Sequence, residues 1–393
     1  MTAVLRRSLW LILCSAAAWA QSGIPDPKFA EVPFDQWLAQ GDMAQIPWKV
    51  QTATYDLSVH QRLHVRARIE VDGKELVKRK GRGEFLFLVQ FRDRDGHPYQ
   101  THNSLKLDDV TAETSRAYME CLVDALVVPG EYRVDLVLLD TISKDHSVAH
   151  RTLRVEPLKN DPLPETWTGL PAVEFLGMKD GPPERWFQPN LSGRLHLPLR
   201  TRRPVHIELL VNVTPSEQTE RQSSAYNLSM GFLLPAAKAI SQIDVGNGSL
   251  DVALLDLSRQ KVTFEQENVR ELDWPQLSAS FKEADPNKID VRSLQNREHN
   301  AEFFVREMSR RIESAGGAPD NPATVFILLS APMAFASGDA PYPVQPSGNR
   351  NHRFYYIRYS WAAEVWHRAM RDPRVFRRPP RSEERRVGKE CRL

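Results

Sequence analysis

The 393-residue sequence predicts a multidomain protein in which an all-β sandwich is followed by an α/β three-layer domain. Two observations lead to this fold class. Between residues 51 and 157, seven short runs rich in Val, Leu and aromatic residues are separated by turn signals, which is typical of antiparallel sheets. After residue 200, apolar strand-like runs alternate with segments of helical spacing, which indicates a mostly parallel, Rossmann-like sheet with helices on both faces.

The first 20 residues have the pattern of a secretory signal peptide. Arg6 and Arg7 precede an apolar run, Leu9–Ala18, and Ala18-Trp19-Ala20 provides the small residues of a cleavage site. We therefore expect a secreted or periplasmic protein with no membrane insertion after the signal is cleaved. Residues 21–50 are a lead-in that contains Pro and Trp.

Residues 51–157 are predicted to form an immunoglobulin-like β-sandwich, because about seven short strands with alternating polarity are typical of that fold. In the run Leu63–Val71, every second residue is apolar and the residues between are polar, as in a half-buried strand. Asp72-Gly73 is one of the predicted turns. Cys121 lies in an apolar run and is expected to be a small buried residue without a redox role.

The remaining domain boundaries follow from composition. Residues 158–200 are a Pro-rich connector with a first strand, 201–367 are the α/β domain, and 368–393 are a basic tail predicted to be disordered or non-native. The tail carries ten Lys or Arg against four Asp or Glu, so residues 21–367 have a net charge of −6. An acidic body argues against nucleic acid or an anionic membrane as the partner and favours another protein.

The α/β half is organised around Val205–Ser216. This run begins as a continuous apolar strand, which predicts burial on both faces, and ends in a small polar cluster. Ligands of open α/β sheets bind at the carboxyl ends of such strands, so any site is expected at Asn212–Ser216. Helices are predicted at Ser224–Ile243, Trp274–Ala284 and Asn296–Ala315, and strands at Leu195–Leu199, Gly248–Leu257, Lys261–Glu267, Thr324–Ser330 and Arg353–Tyr359.

Over residues 201–360, the strand with its polar cluster, the hairpin Val252–Phe264 and the strand Phe326–Ser330 resemble a von Willebrand factor A (vWA) domain. In that family the first strand ends in D-x-S-x-S, which holds Mg²⁺. Here Asn212 stands at the aspartate position, and Thr214 and Ser216 stand at the hydroxyl positions. Ala331-Pro332 follows the later strand, where the family often carries Asp-Gly.

The resemblance therefore implies a degenerate metal-adhesion motif, because neutral oxygens alone bind Mg²⁺ poorly. No metal or other cofactor is predicted, and Asn212, Thr214 and Ser216 are the weak candidates for one. Alternatively, these side chains satisfy backbone groups of the turn after the strand.

No catalytic residue is predicted. The sequence contains no G-x-S-x-G, H-E-x-x-H, C-x-x-C, P-loop or G-x-G-x-x-G motif. His299 and Glu302 lie three residues apart on a predicted helix, a spacing more typical of a solvated helix pair than of metal ligands.

We therefore expect an exported, non-enzymatic module for protein interaction or assembly. One alternative is a Mg²⁺-dependent adhesion module that still uses Thr214 and Ser216 and tolerates Asn212. A further alternative is an unrecognised secreted hydrolase, which needs a His and a carboxylate or Ser converging on one cleft.

Overall fold

The computed structural model describes residues 29, 32–79, 83–108, 110–176, 191–214, 223–283, 291, 299–315, 322–330 and 351–358. The predicted signal peptide and the predicted tail lie outside these residues. The chain divides into two compact units. Unit 1 comprises Met1–Tyr55, Leu63–Lys159 and Pro171–Leu176, and unit 2 comprises Asp56–Arg62, Asn160–Leu170 and Gly177–Leu393. In the described part of the chain, no helix is long and apolar enough to cross a membrane.

Two sheets form in the first part of the chain. The five-stranded sheet contains β1 (Met43–Ala44), β4 (Glu84–Arg92), β5 (Pro98–Lys106), β7 (Gly130–Asp140) and β8 (His146–Val155), in the order β1-β8-β7-β4-β5 with every pair antiparallel. The four-stranded sheet contains β2 (Trp48–Leu57), β3 (Leu63–Asp72), β6 (Tyr118–Val127) and β9 (Val173–Phe175), in the order β2-β3-β6-β9.

The polarity pattern of β3 shows which face of the four-stranded sheet is buried. Its apolar residues, Leu63, Val65, Ala67, Ile69 and Val71, are all buried, and the polar residues between them are only partly buried. The predicted alternation is confirmed, because successive side chains of a strand point to opposite faces. The core also takes in Tyr132 of β7, whose hydroxyl donates to the backbone oxygens of Val128 at 2.8 Å and Ala172 at 3.1 Å.

The predicted turn at Asp72-Gly73 is wrong, because a short helix, α2 (Gly73–Lys78), begins there. The Asp72 carboxylate accepts a hydrogen bond from the backbone N–H of Lys74 and so caps the helix. Gly73 is required by a close approach, since a Cβ at this position would lie 1.8 Å from the backbone oxygen of Thr114. Two other short helices are α1 (Phe34–Leu38) and a 3₁₀ helix at Ala112–Arg116.

Unit 2 contains a five-stranded mixed sheet and a two-stranded sheet. The larger sheet contains β11 (Val205–Asn212), β13 (Ser249–Asp256), β14 (Lys261–Gln266), β15 (Ala323–Ser330) and β16 (His352–Arg358), in the order β14-β13-β11-β15-β16. All neighbours are parallel except β13 and β14. The smaller sheet pairs β10 (Leu197–Pro198) with β12 (Ile243–Asp244). The helices are α3 (Ser223–Ser241), α4 (Trp274–Glu283) and α5 (Asn300–Ser314).

The central strand β11 is buried on both faces, as its continuous apolar run predicts. On one face, Leu209 joins a cluster that includes Leu233 of α3 and Leu277 of α4. On the other face, Leu210 packs with Phe303 and Met308 of α5. Both clusters exclude water from the sheet, which stabilises it at about 25 cal/mol for each Å² of apolar surface removed from water.

The predicted fold class is wrong: an immunoglobulin-like sandwich followed by a Rossmann-like, vWA-type three-layer domain is not indicated. The described residues are mostly β, with 45% in strands and 21% in helices, and their strands form four sheets. In the described part of unit 2, seven strands accompany three helices with defined bounds. Hydrophobic periodicity indicates which side chains are buried but not which element covers them. The alternation of strand-like and helix-like segments therefore did not identify the fold class.

Candidate functional site

The predicted site at the carboxyl end of β11 is a hydrogen-bonded turn. The buried Asn212 side chain donates from Nδ2 to Ser330 Oγ at 3.0 Å, and its Oδ1 accepts from the backbone N–H of Thr214 at 3.0 Å. Thr214 Oγ1 accepts from the backbone N–H of Leu257 at 2.6 Å. The structure thus brings Asn212 and Thr214 together, while Ser216 and Ala331-Pro332 lie outside the described residues.

Asn212 Oδ1 and Thr214 Oγ1, two of the three oxygens expected to hold Mg²⁺, are therefore already used by the backbone. Asp256, the carboxylate at the end of β13, is also satisfied, because it accepts from Ser258 Oγ at 2.6 Å and pairs with Arg259 Nη1 at 2.9 Å. A hard cation prefers several oxygen ligands with negative charge. In the described residues, the polar groups at this edge of the sheet already have hydrogen-bond partners. This arrangement does not favour a Mg²⁺-dependent adhesion module.

A network of buried charges lies on the α5 face of the same sheet. Arg311 of α5 donates to Glu307 at 2.8 Å and to Glu265 of β14 at 2.6 Å, and it also pairs with Glu208 of β11. The neighbouring Arg310 pairs with Glu307 at 2.7 Å. Buried charges cost several kcal/mol each unless they are paired, so this network is fixed by its own partners. The sequence analysis did not single out any of these residues.

The pKa values of the network shift in the directions that keep it ionised. Burial raises the pKa of Glu208, but the hydrogen bond from His206 and the charge of Arg311 outweigh burial, so this pKa lies below its ordinary value. Burial lowers the pKa of Arg311, and the carboxylates around it raise that pKa above its ordinary value. The ion pairs therefore persist at neutral pH.

His206 extends the network toward the amino ends of β11 and β13. Its Nδ1 lies 2.7 Å from Ser249 Oγ, and its Nε2 lies 3.2 Å from Glu208 Oε2 and 3.9 Å from Asp251 Oδ2. The hydrogen bond with Glu208 raises the pKa of His206, against the effect of burial and with help from the charge of Asp251.

Ser249, His206 and Glu208 are the residue types of a hydrolase charge relay. That chemistry needs a neutral imidazole that accepts the serine proton. The raised pKa of His206 shifts this imidazole toward its protonated form. Imidazole nitrogen and carboxylate oxygen are, however, the donor types that hold divalent metal ions.

Other candidates from the sequence have ordinary surroundings. His299 Nδ1 lies 3.1 Å from Glu302 Oε2 on the exposed surface of α5, as expected for a helix pair. Burial raises the pKa of the Cys121 thiol to about 11, so this thiol is protonated and unreactive at neutral pH.

The strand β16 presents an apolar surface to solvent. The exposed fractions are 43% for Phe354, 57% for Tyr355 and 37% for Ile357. We call these three side chains the β16 patch, in which Tyr355 and Ile357 share one face of the strand and Phe354 lies on the other. Phe354 is held in place by stacking on Phe326 of β15, with ring centroids 4.8 Å apart and an interplanar angle of 8°. A strand was predicted at Arg353–Tyr359, and the sequence pattern did not indicate that these side chains are exposed.

Comparison with known proteins identifies no family. No protein-family model matches the chain, and no curated protein matches it. The chain is weakly similar to a solved structural genomics target, SoR45, with 12% identity and a TM-score of 0.19 over 30% of this chain and 95% of that one. It is also weakly similar to a siderophore utilization protein from T. fusca, with 13% identity and a TM-score of 0.11 over 83% of this chain and 77% of that one. Neither similarity supports an inference about fold or function.

Proposed function

We propose that this chain is an exported, non-enzymatic module that binds another protein and acts in the periplasm or outside the cell. The observation that supports binding is the β16 patch, in which Phe354, Tyr355 and Ile357 are exposed on the last strand of the sheet order in unit 2. The proposed export relies on the signal-like sequence of residues 1–20.

The chemistry of the β16 patch is that of a protein interface. Aromatic side chains are enriched in the cores of interfaces because they bury a large apolar area with few rotatable bonds. Tyr355 and Ile357 are two residues apart in the strand, so they lie on the same face of the sheet. A partner that covers them removes both from water at once, and such central aromatic anchors commonly contribute about 2 kcal/mol or more to binding.

The acidic body supports a protein partner over nucleic acid or an anionic membrane. Residues 21–367 carry a net charge of −6, which repels phosphate-rich surfaces. The buried charges of Glu208, Glu307 and Arg311 are engaged with one another, with Arg311 contacting three carboxylates. They therefore support the sheet that carries the β16 patch and do not form a charged docking surface.

Site-specific photo-crosslinking in the producing organism tests the proposal. A photoreactive amino acid is placed at Tyr355, at Ile357 or, as a control, at Ile142, which is 60% exposed in unit 1. We expect the same adduct from the first two positions, identified by mass spectrometry, and no such adduct from Ile142. The purified partner is then titrated with the Tyr355→Ala and Ile142→Ala variants.

The expected affinity loss is about tenfold or more for Tyr355→Ala, because each tenfold corresponds to about 1.4 kcal/mol of binding free energy. Ile142→Ala should bind as the unmodified protein does. The proposal is refuted by the absence of adducts at both β16 positions, by identical adducts from all three positions, or by unchanged affinity of the Tyr355→Ala variant.

A further inference from the structure

The amino ends of β11 and β13 bring three ligand-type side chains together on one face of the sheet. The parallel register places His206 beside Ser249 and Glu208 beside Asp251, and residues two apart in a strand share a face. His206 Nε2, a Glu208 oxygen and an Asp251 oxygen all lie within 4.8 Å of one another. This cluster is separate from the β16 patch and from the turn at Asn212.

We propose that His206, Glu208 and Asp251 form a binding site for a divalent transition metal ion of the zinc class. Zinc bonds of about 2.0–2.2 Å place neighbouring ligands of a tetrahedral site roughly 3.3–3.6 Å apart. The distances from His206 Nε2 are 3.2 Å to Glu208 Oε2 and 3.9 Å to Asp251 Oδ2, which bracket that range. The third pair, an oxygen of Glu208 and one of Asp251, lies within 4.8 Å.

The ligand types select among metal ions. Ca²⁺ and Mg²⁺ favour sites made wholly of oxygen, whereas an imidazole nitrogen with two carboxylates suits zinc and its neighbours in the first transition row. A metal ion binds the unprotonated Nε2 of His206, so any proton on that nitrogen passes to solvent when the ion binds. A water molecule completes a four-coordinate shell, because the side chains of His206 and Asp251 are 20% and 22% exposed.

A second ring of hydrogen bonds already orients all three ligands, and the backbone N–H of Asn268 donates to Asp251 Oδ1 at 2.9 Å. Ser249 Oγ lies 2.7 Å from His206 Nδ1, and this hydrogen bond directs Nε2 toward the carboxylates. The second oxygen of Glu208 is held by Arg311. Metal-binding histidines and carboxylates commonly have such outer partners, and loss of one weakens metal binding about 10–100-fold.

The charge balance of the surroundings also favours a cation. The connected network contains four carboxylates and two guanidinium groups, so a negative excess remains when His206 is neutral. The carboxylates are Glu208, Asp251, Glu265 and Glu307, and the guanidinium groups are those of Arg310 and Arg311. A divalent ion at His206 neutralises that excess without disrupting the pairs that Arg311 makes.

The chain contains a matched comparison group at Asp93, Asp95 and His97 in unit 1. There the Asp93 carboxylate already accepts from the backbone N–H groups of Asp95 and His97 and from the hydroxyl of Tyr99. The Asp93 oxygens are therefore engaged in hydrogen bonds within a turn. In the described residues, His97 is exposed and has no outer hydrogen-bond partner comparable to Ser249 at His206. A His97 variant thus serves as the control for non-specific binding.

Calorimetric titration of the full chain with Zn²⁺, after removal of metals by a chelator, tests the site. We expect one equivalent of Zn²⁺ to bind, with affinity reduced at least tenfold in both His206→Gln and Asp251→Asn and unchanged in His97→Ala. Mg²⁺ should not compete. Co²⁺ should replace Zn²⁺ and give the visible absorption of a four-coordinate site, which disappears in the His206→Gln variant.

Circular dichroism of the metal-free variants checks that each is folded. If His206→Gln does not fold, Asp251→Asn decides the matter, because Asp251 is partly exposed and its amide keeps the shape of the side chain. The inference is overturned if the unmodified chain binds no Zn²⁺, if a folded site variant loses less than tenfold in affinity, or if the His97→Ala variant loses binding.

Discussion

Replacing Arg311 by Met tests how far the buried charge network stabilises unit 2. The Arg311 side chain is 6% exposed, and its partner Glu208 is 7% exposed, so removal of the guanidinium leaves a buried carboxylate with only His206 beside it. Breaking a buried ion pair from one side costs about 3–5 kcal/mol. With a urea dependence of about 2 kcal/mol per molar, the urea midpoint of unit 2 should fall by roughly 2 M.

Arg310→Met is the matched control, because Arg310 pairs with the same Glu307 but is 55% exposed. An exposed pair contributes about 0–1 kcal/mol, so this variant should unfold close to the unmodified midpoint. The double variant Arg311→Met with Glu208→Leu should recover much of the loss, since an apolar pair of similar volume often replaces a buried ion pair at no cost.

The assay is hydrogen exchange in urea, read from peptides of β11 and α5, so that the unfolding of unit 2 is measured separately. Equal losses in the Arg311→Met and Arg310→Met variants would refute the reasoning. That result would mean that solvent reaches Glu208 as soon as Arg311 is removed, and that the network is not buried in solution.

Two further predictions concern unit 1. Burial raises the pKa of Asp124, whereas the hydrogen bonds and charges of His64 and Arg66 lower it. The basic partners have the larger combined effect, so this pKa lies below its ordinary value. Its stabilising effect is therefore complete above about pH 4 and is lost as pH falls through the native pKa. Asp124→Asn should cost about 1.5–3 kcal/mol at pH 7 and progressively less in acid, as measured by urea unfolding at pH 7 and pH 3. Gly73→Ala should lower the thermal stability of unit 1 by about 1–3 kcal/mol, because the new Cβ meets the Thr114 oxygen at 1.8 Å. Gly231→Ala, in α3 with no atom within 4 Å, should instead raise stability by up to about 1 kcal/mol, as measured by thermal unfolding.

Individual strands were predictable where one physical constraint decides the pattern. The alternation in β3 and the continuous apolar run of β11 follow from burial on one face and on two faces, and both strands occur as predicted. Short strands with no repeat of their own were missed. Val173–Phe175 lies in the Pro-rich connector, and only its pairing with β6 makes it a strand.

Helix α2 shows why a local signal can be misread. Asp-Gly between two alternating runs is a strong hairpin signal, and the sequence analysis interpreted it in that way. Asp72 instead caps a helix, and the backbone around Thr114 packs against Gly73 so closely that only glycine fits. Thr114 is about 40 residues from Gly73 in the sequence, so no local sequence pattern predicts this contact.

The sequence did not lead to the candidate metal site because that site lies in the first half of β11, whereas the predicted site lay at its carboxyl end. A rule derived from parallel α/β sheets directs attention to the carboxyl end of β11, where Asn212 and Thr214 proved to be satisfied by the backbone. The charged residues His206 and Glu208 lie in the first half of the same strand. Their spacing of two places them on one face, which the sequence does reveal.

The sequence does not reveal that Asp251 lies beside Glu208 or that Arg311 pairs with Glu208. The first depends on the register between β11 and β13, and the second depends on how α5 packs over the sheet. An ionisable pair inside an otherwise apolar strand is nevertheless informative by itself, because charges enter a core only with partners. The spacing of His206 and Glu208 in the sequence thus predicts a cation opposite them. Arg311 supplies one cation at Glu208, and the remaining excess of carboxylates beside His206 is the reason to look there for a second.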